Sequence, residues 1–507
     1  MERPSRLEAE NALLRVRVAE RDTEIAALQT RLAERDAEVA ALHVRVDERD
    51  AEIAALHRQV AELAARLDQN PRNSSKPPSS EGYTTPAPKS RRKPSGRKPG
   101  KQPGAPGKHL AKVDDPDTVV VHAPKTCSSC DAGLGDAEVA GVQARQVFDI
   151  PPLRLEVTEH RVEQRRCGCG TVTAADFPAV ARGPASYGPQ VRALAVYLLN
   201  YQHLPYDRAA RLLSDVLAAP VSVGTLTSIM TEAAGRLSPF LDAVRDALAD
   251  AGVAHFDETG ARVAGKLHWV HSASTDWWTF YTVHPKRGTE AMNAAGVLPD
   301  FAGVAVHDGW KPYRHYQSLV HGLCNAHHLR ELTAATEQPG QGWADDMATL
   351  LCETLEAVDA AKTAGTDRLD ATTLAAVHRR YATAVAAGHA ANPPPPRSGK
   401  RGRTAKSKAA NLLARLDDYR DDVLRFAVDF AVPFDNNLAE RDIRMIKLQQ
   451  KISGGWRTLA GAETFCALRS YISTVRKNDV DVLPALAQAF NGDPWLPTTP
   501  QPMVRAA

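Results

Sequence analysis

Three acidic residues occupy positions from which fixed carboxylates could do chemistry. Asp257 ends an apolar, strand-like run and is followed by Glu-Thr-Gly, and Asp308 ends a second short β-branched run before a glycine. Glu440 lies in a predicted helix whose start is marked by Asp435-Asn-Asn. Carboxylates of this kind are hard oxygen ligands that suit Mg²⁺. Two ions about 3.5–4 Å apart can hold both the attacking and the leaving oxygen of a phosphodiester, so the pattern indicates nuclease or polynucleotidyl-transferase chemistry.

Each acid also has an ordinary structural explanation. Asp257 before Glu-Thr-Gly and Asp308 before Gly suit hairpin turns. Asn437, with Glu440 three residues later, fits a helix capping box. The catalytic hypothesis therefore depends on the combination of the three acids and on the residues around them.

Length and charge set the broad class of protein. A chain of 507 residues predicts several domains, because single cores rarely exceed about 250–300 residues. The net charge is only +3, but residues 89–108 hold eight Lys or Arg and residues 397–408 hold six, and neither run contains an acid. Such runs indicate a polyanionic partner.

Compartment and membrane association follow from other features. We expect no membrane span and no secretory leader, and four of the seven cysteines fall in close pairs, unlike a secreted disulfide framework. We therefore expect a cytoplasmic, nucleoid-associated protein.

The first 69 residues are predicted to form a coiled coil. Residues 7–67 repeat with a period of fourteen. Leucines fill most d positions, and three d sites instead hold Arg21, Arg35 and Arg49. β-Branched a residues with Leu at d favour a parallel dimer, so we expect a homo-oligomer; a long solvated helix is the alternative. The a positions are Val18, Ile25, Leu32, Val39, Val46, Ile53, Val60 and Leu67.

Residues 70–112 are predicted to be a linker, because proline and glycine interrupt both helix and strand. Its basic residues are candidates for DNA contact, either within a minor groove or as a general phosphate-binding segment. They are Arg91, Arg92, Lys93, Arg97, Lys98 and Lys101.

Four paired cysteines follow within residues 113–182. Cys127 and Cys130 form one pair, and Cys167 and Cys169 form the second. Four thiolates from two such pairs match a tetrahedral structural Zn²⁺ site, so we expect a zinc-binding module. Between the pairs, residues 146–150 and 153–157 have strand-like sequences.

Residues 183–250 are predicted to be helical and to form a DNA-binding region. A helix, a turn and a helix starting near Ser222 resemble a helix-turn-helix motif, with Thr225 and Thr227 early in the candidate recognition helix. A plain helical bundle fits the same sequence.

The remaining pattern predicts an α+β catalytic core. Strands near 252–257, 266–272 and 277–283, a helix near 289–295 and a strand ending at Asp308 follow the order of a ribonuclease H-like α/β fold. We assign residues 251–334 to the first part of that core and 431–482 to the second. Residues 335–430 are predicted to be a helical insertion, and 483–507 a C-terminal tail.

Several blocks, in this order along the chain, resemble the insertion-sequence-66 family of transposases. Besides the cysteine pairs they are Asn73–Ser80, His255–Gly260, Val306–Trp310, Cys324–His327 with Arg330, Asp435–Arg441 and Gly454–Arg457.

The resemblance implies a DDE transposase that binds terminal inverted repeats and target DNA and catalyses strand cleavage and strand transfer. Its triad would be Asp257, Asp308 and Glu440, with two Mg²⁺ (or Mn²⁺) ions. Cys324 and His327 match a CxxH signature, for which metal binding and core packing are both open. Accessory proteins of the element are possible partners. A catalytically inactive DNA-binding regulator and a structure-specific nuclease remain alternatives.

Basic residues near Glu440 are candidates for holding DNA phosphates. Arg444, Lys447 and Lys451 follow it by four, seven and eleven residues, which places them on the same helical face; a solvated face is the alternative. We also assign DNA contacts to Arg441, Trp456 and Arg457. Trp310 and Trp456 could each stack on a base or pack in the core.

Overall fold

The structure, a computed structural model, describes residues 6–67, 110–394 and 406–497. The N-terminal helix belongs to one compact unit, and the residues from 110 onward belong to a second. Within these ranges, every helix is too short or too polar to cross a membrane.

Helix α1 is a single helix, Arg6–Leu67, of 62 residues. No glycine or proline interrupts it, and at 1.5 Å per residue it extends about 93 Å. The arginines at d positions pair with glutamates three residues later, as in Arg21–Glu24 at 2.7 Å. In the single chain, Ile25 and Val39 on the repeating seam are about half exposed, at 51% and 49%. The coiled coil stays a prediction, since a partner chain would have to cover this seam.

The cysteine-containing segment has little regular structure. Strands β1 (Gln164–Arg166) and β2 (Val172–Ala174) form an antiparallel hairpin around the second cysteine pair. The strands expected at 146–150 and 153–157 are absent. Most of their apolar side chains are exposed, such as Val147 at 91% and Val157 at 88%, although Leu155 packs against the main hydrophobic core.

Four helices follow, in agreement with the helical prediction for 183–250. They are α2 (Pro189–Val196, extended by a π-helical turn at Tyr197–Tyr201), α3 (Tyr206–Leu217), α4 (Val223–Gly235) and α5 (Ser238–Ala249). Thr225 and Thr227 are exposed on α4. The inner faces of these helices share one hydrophobic core with the sheet described next. The outer residues of α4 include no Lys or Arg. The shared core fits a helix-turn-helix and a plain helical bundle alike, so the DNA-binding role of this region stays a prediction.

The sheet has five strands in the order β5-β4-β3-β6-β7. Its strands are β3 (Val253–Val263), β4 (Lys266–Ser274), β5 (Thr279–His284), β6 (Val304–His307) and β7 (Val320–Leu323), with helix α6 (Thr289–Ala295) between β5 and β6. Strands β3, β4 and β5 are antiparallel, whereas β6 and β7 run parallel to β3. The expected order of three strands, a helix and a fourth strand is confirmed.

Strand β3 differs from its prediction. It continues past Asp257 to Val263, and the turn lies at Ala264 and Gly265, both with positive φ. Gly260, expected in a turn, pairs with Trp269 of β4. The hairpin-turn explanation of Asp257 is therefore wrong, and so is that of Asp308, because the next strand is parallel.

Helices dominate the segment between the sheet and Glu440, as expected. They are α7 (Asn325–Thr336), α8 (Gly342–Thr363), α9 (Ala371–Ala391), α10 (Lys408–Asp418), α11 (Arg420–Val423) and α12 (Arg425–Val428). They surround a second hydrophobic core that includes Trp343, Tyr381 and Leu416.

Three helices complete the fold: α13 (Asn437–Ser453), α14 (Leu459–Lys477) and α15 (Val482–Phe490). Helix α13 packs on β3 and β4, and α14 packs on β5. The predicted C-terminal tail from 483 is wrong for its first eight residues, which belong to α15. Leu486 and Phe490 are only 1% and 6% exposed because α15 packs against α2.

Candidate active site

Strand register brings Asp257 and Asp308 side by side. The parallel ladder pairs His255 with Val306, and continuing it by two residues sets Asp257 opposite Asp308. Likewise, β6 pairs His307 with Leu323, which sets Asp308 opposite Cys324. Neighbouring strands lie about 4.8 Å apart, so the three residues form one row that crosses the middle of β3 and follows the carboxyl ends of β6 and β7.

This row lies on the face of the sheet that carries α13. Side chains two residues apart along a strand point to the same face, so Asp257 shares its face with Ala261. Ala261 packs in a cluster with Ile443 and Ile446 of α13. Glu440, in the first turn of α13, therefore lies on the same side of the sheet as the two aspartates.

Asn436 fixes the start of α13 against the sheet. Its side chain donates from Nδ2 to the Phe256 carbonyl oxygen at 2.9 Å and bonds through Oδ1 to His255 Nδ1 at 2.7 Å. Since Oδ1 can only accept, Nδ1 of His255 carries the proton. The backbone N–H of Asn436 donates to Cys324 Sγ at 3.1 Å. One buried residue thus connects the Glu440 helix to β3 and to the end of β7.

The capping-box explanation of Asn437 is wrong. Asn436 is the N-cap residue, and its side chain makes no capping bond. Asn437 is the exposed first residue of the helix. The sequence pattern suggested a local role for an asparagine, but the buried asparagine serves a long-range one.

Glu440 contacts cations and the CxxH residues. Its Oε1 lies 3.7 Å from Arg330 Nη2 and 3.9 Å from His327 Nδ1, and its Oε2 lies 3.5 Å from Arg444 Nη2. Oε1 is buried and accepts no hydrogen bond from any residue that the structure describes. Ligand atoms of Cys324, His327 and Glu440 lie within 4.8 Å of one another. Cys324 and His327 are therefore beside Glu440 and not in a distant part of the core.

Negative charge is concentrated at the row. Burial raises the pKa of Asp257 well above its ordinary value, and Glu258, Asp308 and Glu440 raise it further. Among polar contacts, Asp257 Oδ1 accepts from the Glu258 backbone N–H at 2.9 Å. A bound cation would relieve this repulsion.

Glu258 is an acid that the sequence interpretation did not single out. It faces away from Asp257, and its carboxylate accepts from Arg287 Nη2 at 2.7 Å and from the Tyr313 hydroxyl at 2.8 Å. Burial and Asp308 still raise its pKa. Arg287 stacks on the Trp310 ring at 3.9 Å, so Trp310 supports an ion pair behind the row. In the sequence, the only signal that Glu258 belongs to the site is its position next to Asp257.

The residues assigned to DNA contact on α13 have different environments. Arg441 and Lys451 are exposed, and Arg444 is paired with Glu440. Lys447 donates from Nζ to the Gly260 carbonyl oxygen at 2.7 Å, which ties α13 to β3.

The two residues assigned to DNA contact just after α13 also differ in environment. Trp456 is joined to β3 through its backbone N–H to Arg262, and its ring lies 5.2 Å from that of Phe465, as core packing predicts. Arg457 is exposed. The linker residues Arg91, Arg92, Lys93, Arg97, Lys98 and Lys101 lie outside the described residues.

Each cysteine pair is formed by a tight turn. The Asp131 N–H donates to the Cys127 carbonyl oxygen at 3.0 Å, and the Gly170 N–H donates to that of Cys167 at 2.8 Å. A backbone hydrogen bond from Ser129 leads the effects that lower the pKa of Cys127. The side-chain hydrogen bond of Thr171 is the largest effect that lowers the pKa of Cys169, to about 7.

The lowered thiol pKa values suit zinc ligands, which bind as thiolates. In the described residues, however, no three of the four cysteine sulfurs (Cys127, Cys130, Cys167, Cys169) lie within 4.8 Å of one another. The structure forms each pair within its own turn, and the four sulfurs are not gathered into one metal-sized group.

Comparison with known proteins agrees with the motifs. A family model described as "Transposase IS66 family" matches residues 184–464, which is more than half of the chain. One described as "zinc-finger binding domain of transposase IS66" matches 124–170, and a family of unknown function matches 15–111. A search of curated proteins found no match. The matched range includes Asp257, Asp308 and Glu440, and the chain belongs to the IS66 family of transposases.

Proposed function

We propose that this protein is a DDE transposase that binds the terminal inverted repeats of an insertion sequence and catalyses metal-dependent strand cleavage and strand transfer. Asp257, Asp308 and Glu440 are its catalytic acids. The observation that carries the proposal is the strand register, by which the two aspartates are neighbours in one row while α13 holds Glu440 over the same face.

The sheet supports a ribonuclease H-like core. The strand order is β5-β4-β3-β6-β7, with three antiparallel strands followed by two parallel ones. Helices pack on both faces of this sheet. The first catalytic acid is on the central strand, the second follows its parallel neighbour, and the third is on a helix after an inserted helical subdomain.

The donor set fits Mg²⁺ or Mn²⁺. Asp257, Asp308 and Glu440 offer only carboxylate oxygens, which these ions prefer. Burial and the neighbouring acids raise the pKa of Asp257, and among the described residues Glu440 Oε1 accepts no hydrogen bond, so a bound cation would stabilise both carboxylates. Two bound ions would supply activation of the attacking hydroxyl and stabilisation of the leaving oxygen.

The chain itself orients these acids. Asn436 holds the start of α13, and the bond from Lys447 to the Gly260 carbonyl oxygen holds the next turns of the helix against β3. Arg330 and Arg444 flank Glu440 and reduce the repulsion between it and the aspartates. A DNA phosphate would be held by the exposed Arg441, Lys451 and Arg457.

The other segments would supply DNA binding and assembly. A Zn²⁺ ion held by Cys127, Cys130, Cys167 and Cys169 would order the segment 113–182, and the basic linker would contact DNA phosphates. Helix α1 would dimerise through its heptad seam, which brings two catalytic cores to a pair of element ends.

The proposal is tested with a DNA duplex that carries the element's terminal repeat, in the presence of Mg²⁺. The wild type is expected to cleave at the repeat end and to join that end to a target duplex, while Asp308→Asn binds the repeat and does neither. Cleavage without joining would favour a structure-specific nuclease. Binding without chemistry in the wild type would favour a catalytically inactive regulator.

A further inference from the structure

We propose that Cys324, His327 and Glu440 form a second metal site, selective for a thiophilic divalent cation such as Zn²⁺, and that its occupation takes Glu440 away from the Mg²⁺ site. The three side chains come from two separate segments. Cys324 follows β7 and is the N-cap of α7, His327 lies in the first turn of α7, and Glu440 lies in the first turn of α13.

Geometry supports a shared ion. One ligand atom from each side chain lies within 4.8 Å of the other two. His327 Nδ1 and Glu440 Oε1 are 3.9 Å apart, too far for a hydrogen bond. Both atoms are buried, and within the described ranges neither has a hydrogen-bond partner. Zinc–nitrogen and zinc–oxygen distances are about 2.0–2.2 Å, so an ion between the two atoms satisfies both.

The donor types determine the metal. One sulfur, one imidazole nitrogen and one carboxylate oxygen match the three-ligand zinc sites that keep a fourth position open for water. Mg²⁺ prefers oxygen ligands alone. The oxygen-only row of Asp257 and Asp308 and this mixed site therefore select different ions, and Glu440 is the ligand they share.

Burial raises the pKa of the Cys324 thiol to about 12, so a metal ion would have to displace its proton. The Asn436 backbone N–H donates to Cys324 Sγ at 3.1 Å, an outer hydrogen bond of the kind that orients metal ligands. Cys324 is 1% exposed, whereas the side chains of His327 and Glu440 are 24% and 20% exposed, which gives an ion access from solvent. Arg330, 3.7 Å from Glu440 Oε1, opposes a cation and must turn outward on binding.

The binding test counts zinc in the full-length chain. Wild type, Cys324→Ser and His327→Gln are equilibrated with a zinc salt in excess Mg²⁺, dialysed and analysed for zinc. We expect both variants to hold one ion fewer per chain than the wild type. Cys466→Ala is the matched control, because Cys466 is also buried and, among the described residues, belongs to no metal-compatible group; it should keep the wild-type count.

If Cys324→Ser and His327→Gln hold as much zinc as the wild type, the proposed site is refuted. His327→Gln decides the matter if Cys324→Ser does not fold, because His327 is partly exposed. The zinc count requires no enzymatic activity, so its result does not depend on whether the proposed function is correct.

The inhibitory role rests on the proposed function. Zinc is expected to inhibit Mg²⁺-dependent strand cleavage by the wild type, and Cys324→Ser is expected to need at least about tenfold more zinc for the same inhibition. Equal inhibition of the wild type and both variants would overturn this role, even if the ion binds.

Discussion

Replacing Asn436 by alanine tests whether one buried side chain holds the Glu440 helix to the sheet. Asn436 is 1% exposed, and the change deletes its bonds to the Phe256 carbonyl oxygen and to His255 Nδ1. Each buried group left without a partner costs about 1–3 kcal/mol, so we expect a loss of about 2–6 kcal/mol in the free energy of unfolding. The bond from the backbone N–H to Cys324 remains, so α13 should still form.

The adjacent Asn437 provides a matched control. It is exposed, and its side chain makes no hydrogen bond to the described residues, so Asn437→Ala should change stability by no more than about 0.5 kcal/mol. The assay is urea unfolding followed by tryptophan fluorescence, with midpoints compared at equal slope. A displaced Glu440 should also slow strand cleavage by about 100-fold in Asn436→Ala. Equal midpoints for the two alanine variants would refute the long-range role of Asn436.

Three further predictions concern other parts of the chain. Burial lowers the pKa of His271 from 6.5 to about 4. As the pH falls, the unfolded state therefore binds the proton before the folded state does, and the free energy of unfolding should decrease by roughly 3 kcal/mol between pH 6.5 and pH 4. In acid-unfolding curves, His271→Gln should show a smaller decrease. A zinc chelator should make residues 113–182 more susceptible to limited proteolysis without lowering the thermal midpoint of the catalytic core. If the rate of proteolysis does not change, a structural zinc in this segment is contradicted. Val39→Asp, at an a position, should shift the protein toward monomer in analytical ultracentrifugation, whereas Ala40→Glu, off the seam, should not.

Local periodicity predicted much of the fold. The fourteen-residue repeat predicted α1, and the alternation of apolar runs and turns predicted the three strands, the helix and the fourth strand that bring Asp257 and Asp308 to the sheet. These elements are predictable because each one is encoded by neighbouring residues.

Features that depend on distant partners were not predictable. Glu-Thr-Gly after Asp257 resembles a turn, but β4 supplies nine pairing partners and extends β3 through Gly260. The strand-like sequences near Val147 and Val157 do not form strands, because within the described ranges they have no pairing partner.

The candidate site shows the same limit. The three acids could be proposed from their sequence context, and Cys324 with His327 from their spacing. The role of Asn436 could not, because its partner His255 lies 181 residues away and nothing nearby distinguishes it from Asn437. The contacts of Glu258 could not be predicted either, because only the fold brings Arg287 and Tyr313 to its carboxylate.

The most direct test of the central claim is the single-turnover rate of Mg²⁺-dependent cleavage at the terminal repeat for Asp257→Asn, Asp308→Asn and Glu440→Gln. If the three acids form one site, each change should lower the rate by about 1000-fold or more while repeat binding stays close to that of the wild type. A rate within tenfold of the wild type for any one of the three variants would contradict the shared site.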